Sequence, residues 1–163
     1  MFKKTLYIIL SDTQTLEGFT SLIVDSSLLN PLHYVFWDLE KCTLKQAEET
    51  LKKIQQKYDL SHIYIVSDSE GSYRAWCFSK VIFKTYLHIL LDTEYVDPLF
   101  FKYTVKRDKA TLRVSNKIRR PCQKIVSVLQ SYFEEVPERM EQVVYDTGLE
   151  KKGLTIILGD KNG

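Results

Sequence analysis

His33-Tyr34-Val35-Phe36-Trp37-Asp38-Leu39-Glu40 reads as a buried strand that ends in two carboxylates. Side chains alternate across a strand, so Asp38 and Glu40 share a face and lie about 7 Å apart along the chain. Such a pair is either a cradle for one or two divalent metals or the acidic end of a strand where the next turn opens.

Working outward, Thr43 and Gln46 form a capping box, and Leu44, Ala47, Leu51, Ile54 and Tyr58 recur at helical spacing. An amphipathic helix therefore follows the acidic strand. Residues 62–66 are apolar and β-branched, and 72–78 form the next strand; the intervening 67–71 supply turn chemistry, with Gly71 free to take positive φ. Ser79 is placed to cap a second helix carrying Ile82, Phe83, Tyr86, Leu87, Ile89 and Leu90, which breaks over 92–98. Residues 100–105 and 110–115 then read as a hairpin joined by Lys106-Arg107-Asp108-Lys109.

From Asp38 onward the order is β-α-β-β-α-β-β, whose first six elements match the split βαβ plan of ferredoxin-like and RRM-like sheets. The expected class is α+β: an antiparallel sheet with helices packed on one face and the other face free to carry a site. Before this core, residues 6–10 suggest a strand, 11–13 a turn, 16–24 a helical turn and 26–31 a loop. After it, Pro121 is placed to open a third helix over 122–133, which Pro137 ends. Residues 140–145, a Gly-bounded linker and a strand at 154–158 complete a C-terminal extension.

At 163 residues and 44% hydrophobic, the chain suits one domain (1–163), with its core at about 33–120 and the extension at 121–163. The net charge of +2 predicts neither nucleic-acid nor membrane binding, but its distribution is uneven. Between Lys102 and Lys124 stand nine basic residues against the single acid Asp108, either a polyanion-binding face or a solvated basic run. Cys42, Cys77 and Cys122 have neither disulfide-framework nor zinc-site spacing, which fits a reducing cytoplasm. The apolar run at 5–10 is too short for a signal peptide core or a membrane span, so a cytoplasmic protein without membrane attachment is expected. His33, His62 and His88 are isolated, and no Walker loop, GxSxG or Rossmann glycine pattern occurs.

Alternation in 72–78 puts Arg74, Trp76 and Phe78 on one side and Tyr73, Ala75 and Cys77 on the other. The small Ala75 and Cys77 suit the helix-packed face, which leaves Arg74 and Trp76 beside the carboxylates. A guanidinium there either binds phosphate or pairs with one of those acids; the indole either stacks on a base or is core.

These residues carry a family resemblance over about 33–120. A strand ending in Asp38-Leu39-Glu40, a helix, the turn Ser67-Asp68-Ser69-Glu70-Gly71 running into Ser72-Tyr73-Arg74, then Val96-Asp97 and Thr111-Leu112-Arg113-Val114-Ser115-Asn116-Lys117 resemble the catalytic core of archaeo-eukaryotic-type primases and the primase-polymerases of plasmids and viruses. The resemblance implies catalytic carboxylates at Asp38, Glu40 and a third position, with Mg²⁺ or Mn²⁺ on Asp38 and Glu40. Asp97 and Asp108 compete for the third; Asp97 is preferred because Asp108 falls in a predicted turn. It further implies nucleotide-phosphate contacts at Ser69, Arg74, Arg113, Ser115 and Lys117. Arg74 stands where the family has a His. Nucleic-acid contacts would fall to Trp76, Lys106, Arg107, Lys109, Arg119 and Arg120.

Two functions follow as expectations. One is metal-dependent nucleotidyl transfer on a single-stranded template, in a minimal replication protein of a mobile element whose partners are single-stranded DNA or RNA, nucleoside triphosphates and a helicase or other replication protein. The other is a non-catalytic RRM-like module that binds single-stranded nucleic acid through aromatic and basic residues, with the acids structural. A protein whose open sheet face binds another subunit is a third reading.

Overall fold

Alternating and helical patterns resolve into β1 (Lys4–Ile23), β2 (Leu32–Glu40), α1 (Leu44–Tyr58), β3 (Ile63–Ser69), β4 (Ser72–Ile82), α2 (Phe83–Asp92), α3 (Pro98–Arg107), β5 (Thr111–Arg113), β6 (Lys124–Leu129) and β7 (Met140–Leu158). The structure, a computed structural model, describes residues 4–23, 29–115, 121–137 and 140–158. Lys117, Arg119 and Arg120 lie outside the described residues.

The architecture is α+β, as expected. One antiparallel sheet runs β5-β1-β2-β4-β3-β6, with β7 paired along β1. Odd-numbered residues of β2 face the helices: the Trp37 indole donates to Thr93 Oγ1 just past α2 (3.1 Å), and the His33 ring lies against Phe83 and Tyr86. Ala75 and Cys77 are fully buried, and the Tyr86 hydroxyl donates to the Phe36 carbonyl (2.7 Å). The capping box at Thr43 and Gln46 opens α1 as its spacing requires.

Several sequence expectations are overturned. Residues 100–105 are helical, because Asp97 caps the Leu99 amide and Pro98 supplies a pre-set first turn. Phe100 and Thr104, four apart, are buried while Leu99, Lys102, Tyr103 and Lys106 are exposed, so the true period there is helical. Residues 124–129 are strand: Ile125, Val126 and Val128 are β-branched, and the free edge of β3 gives them a partner. Residues 11–13 and 16–23 belong to β1, not to a turn and a helical turn, and the expected Gly-bounded linker lies within β7, because the two strands pair over their length. Ser79 does not cap α2, which starts at Phe83; its hydroxyl accepts from Ser61 N (2.8 Å) and donates to Ser61 Oγ (3.0 Å).

The slot beside β2 also departs from the split βαβ plan. β1 pairs there at Leu22↔His33, and Val96 bridges Leu39 at the other end, while β5 pairs with β1 at 18–20, along the same edge as β2 and opposite β7. Gly18 allows the close approach of β5, since a Cβ there would stand 2.5 Å from the Leu112 carbonyl oxygen. Among the described residues no helix is long and apolar enough to cross a membrane.

The face opposite the helices is not free. Tyr34 and Phe36 are fully buried on it and Arg74 is 7% exposed. Arg113 of β5 nevertheless reaches Asp68 at the end of β3, with Nη2 2.6 Å from Oδ2. β5 shares with β2 the edge of β1 opposite β7, and this ion pair ties it to the end of β3.

His33 is buried between the layers, with Nδ1 3.1 Å from Ser21 Oγ and no partner for Nε2 among the described residues. Ser21 Oγ also accepts from the Ala110 amide (3.0 Å), which fixes the hydroxyl beside the ring. Burial lowers the His33 pKa to about 4; Asp108 opposes this and Lys109 reinforces it. The unfolded chain takes up this proton below about pH 6.5 and the folded one does not, so stability is full above that pH and declines toward pH 4. A loss of up to about 3 kcal/mol over this window is expected in urea denaturation, and it should vanish in His33→Gln if His33 is its source.

Candidate functional site

The end of β2 is tied to two other segments by its backbone. Lys41, in the left-handed region (φ 57°), donates its amide to the Gly71 carbonyl (2.9 Å), fixing the β3–β4 turn beside the strand end. Gly71 itself takes φ 79° there, as the turn chemistry foresaw. On the other side Glu40 N donates to Tyr95 O (2.9 Å) and Asp97 N to Asp38 O (2.8 Å). Sequence-distant Asp97 is thus held next to Asp38.

A cavity of about 420 Å³ opens between these three segments. Asp38, Glu40 and Lys41 line it from β2, Ser69 to Ser72 and Arg74 from the hairpin, and Asp97 from the start of α3. Five sequence-selected residues therefore converge: Asp38, Glu40, Asp97, Ser69 and Arg74. Between the two candidates for a third acid the structure brings in Asp97, while Asp108 sits at the C-terminal cap of α3 with φ 53°. Lys41 and Glu70 also line the cavity and carried no signal beyond their nearness to the acidic strand and the turn.

Arg74 lies directly across from Asp38 in the β2–β4 register. Its direct partners are elsewhere: Nη1 donates to Gln123 Oε1 (3.1 Å) and lies 3.6 Å from Asp68 Oδ2. Burial lowers its pKa, Asp38 and Asp68 raise it, and the neighbouring Arg113 lowers it again. The ion-pair partner is therefore Asp68, which sequence reasoning left in a turn. Period two held the missed signal, because Val66 pairs with Arg74 and Asp68 is two residues further along β3.

Arg113 is 5% exposed and spends its guanidinium on Asp68 and on the Ser115 carbonyl, so it does not line the cavity. Ser115 Oγ accepts from Glu17 N (2.8 Å), which makes it a clasp between β1 and the end of β5. Trp76 is half-buried against Phe36, ring centroids 4.5 Å apart. Lys106 and Arg107 are exposed on the last turn of α3, whereas Lys109 pairs with Glu141 (2.7 Å). Among the described residues the basic run is thus divided among an exposed helix end, a surface ion pair and a buried cluster.

Burial pushes the Asp68 carboxyl up, but the Arg113 hydrogen bond and the charges of Arg74 and Arg113 outweigh it and hold its pKa below the usual value. No group of three or more His, Cys, Asp or Glu side chains is arranged to hold a metal among the described residues. No protein-family model, curated protein or solved structure matches this chain.

Truncating Asp68 would leave two buried guanidiniums facing each other. Asp68→Ala is expected to destabilise the fold by about 3–5 kcal/mol, measured as a lower urea midpoint. Because the Asp68 pKa is depressed on folding, its contribution in wild type is full above the unfolded carboxyl range and is lost as pH falls through the folded value.

Proposed function

We propose that the chain is a nucleic-acid replication protein resembling a minimal primase-polymerase, with its nucleotide site in the cavity at the end of β2. The observation that carries this reading is the convergence of Asp38, Glu40, Asp97, Ser69 and Arg74 from three separate segments on one cavity. They are residues to which the primase resemblance gives carboxylate and phosphate-binding roles, with Arg74 in place of the family's His.

The donor set suits Mg²⁺ or Mn²⁺. Carboxylate oxygens are hard ligands, and Mg²⁺ is commonly held by one or two carboxylates with waters and substrate phosphates rather than by a complete protein cage. A site with no preassembled group of three ligands is compatible with that mode. Asp38 and Glu40 would hold the ion, with Asp97 alongside. When bound, it supplies Lewis-acid stabilisation of charge on the reacting oxygens.

The chain's own residues do the rest. Arg74 is held rigid by Asp68 and Gln123, so it presents positive charge to the cavity without a conformational search. Lys41, whose backbone is fixed by its amide's bond to Gly71, adds a second basic residue to the cavity lining. Arginine forms two-pronged hydrogen bonds to phosphate, so the replacement of the family's His keeps the phosphate-binding chemistry while removing a titratable group.

A specific observation also favours the binding-module reading. Tyr64, Trp76 and Phe78 are half-buried neighbours on the strand face toward β6, where bases can stack. The two readings separate in one assay: incorporation of labelled nucleotide on a single-stranded template, with and without primer, in Mg²⁺ and in Mn²⁺. Asp38→Ala with Glu40→Ala is expected to lower incorporation on the order of 10²-fold or more while single-strand binding persists. Undiminished incorporation in the double variant would remove the catalytic assignment, and binding without any incorporation by wild type would leave the module.

A further inference from the structure

β6 ends the strand order, and among the described residues no strand pairs with its edge away from β3. Edge strands are commonly blunted by charge or proline, because a row of free N–H and C=O groups invites another strand. Here that protection is missing. From Ile125 to Phe133 the chain has neither a charged residue nor a proline, and Ile125 and Val128 are 62% and 40% exposed. The register shift in the pairing with β3 falls at Val126, which leaves 127–129 regular.

A groove of about 550 Å³ lies between β6 and α1. Glu48, Glu49, Lys52 and Lys53 line it from the helix, and 127–129 line it from the strand. Ser127 Oγ donates to Glu48, and Lys52 Nζ donates to the Gln130 carbonyl (3.0 Å), so α1 runs alongside β6 in the same sense. The groove is therefore acidic toward Ser127 and basic toward Gln130. A surface of that kind complements itself when turned end for end.

We propose that β6 pairs antiparallel with β6 of a second copy of this chain, giving a two-fold dimer with one continuous sheet. Residues opposite each other in an antiparallel ladder share a face, and an axis along the sheet normal keeps each residue on its own face. The axis therefore passes through a residue rather than between two. Charge selects which one. Centred on Ser127, the pairing would bring the two Glu48 carboxylates together. Centred on Val128, it sets Ser127 opposite the partner's Leu129 and turns Glu48 and Glu49 toward the partner's Lys52 and Lys53. The proposal makes no use of the nucleotide-site reading.

Sedimentation equilibrium of wild type is expected to show a reversible dimer of micromolar or tighter affinity that weakens as salt is raised. Val128→Lys sets two ammonium groups against each other at the axis and should weaken association about a hundredfold, with the urea midpoint little changed. Glu49→Lys and Lys53→Glu alter exposed positions of α1, so the fold tolerates them, and each alone should weaken association about tenfold. Mixed together, these two variants should form a dimer again, because acid then faces base. A wild type that stays monomeric would overturn the proposal and leave the edge to a strand from another protein. A dimer untouched by Val128→Lys, or charge variants whose mixture associates no better than either alone, would overturn it too.

Discussion

One buried carboxylate, Asp68, holds two guanidiniums from different strands, and this end of the sheet is organised around it. Arg113 comes from β5 and Arg74 from β4, so the cluster ties β5 to the end of β3. The face opposite the helices, on which Arg74 lies, also buries Tyr34 and Phe36. Desolvating these charges is costly, and hydrogen bonds from Arg74 to Gln123 and from Arg113 to the Ser115 carbonyl offset part of that cost. Such a cluster is weak as a source of net stability but strong as a constraint, since no other register leaves its charges paired.

The candidate site is built against that constraint. Arg74 cannot turn away from the cavity because Asp68 and Gln123 hold it, and Asp38 faces it across the strand pair. The other wall depends on backbone hydrogen bonds at the end of β2, which dock the β3–β4 turn on one side and the start of α3 on the other. Asp97 serves twice there, capping the helix with one carboxylate oxygen and lining the cavity. A helix cap and a cavity-lining acid in one residue make α3 and the candidate site a single unit.

Much of this was readable from local chemistry. The alternation in 33–40 places Asp38 and Glu40 together, the capping box at Thr43 and Gln46 starts α1, and Gly71 marks the hairpin turn by its positive φ. Each signal acts within a few residues, so the chain carries it whole. The apolar residues of 100–105 and 122–133 fit more than one period, and there local reading chose the wrong one. Asp97-Pro98 tipped the first toward helix, and the open edge of β3 tipped the second toward strand.

By itself, then, the sequence determined the α+β class, the acidic strand end, the first helix and hairpin, and which residues were candidates for one site. Tertiary structure decided what surrounds them: that Arg74 answers to Asp68, that Arg113 is spent in the interior, that β1 takes the place beside β2, and that Asp97 is the acid brought to Asp38. The reason is one of range. Periodicity and capping are properties of neighbouring residues, whereas ion pairs and sheet order are settled by which distant segments can be desolvated together.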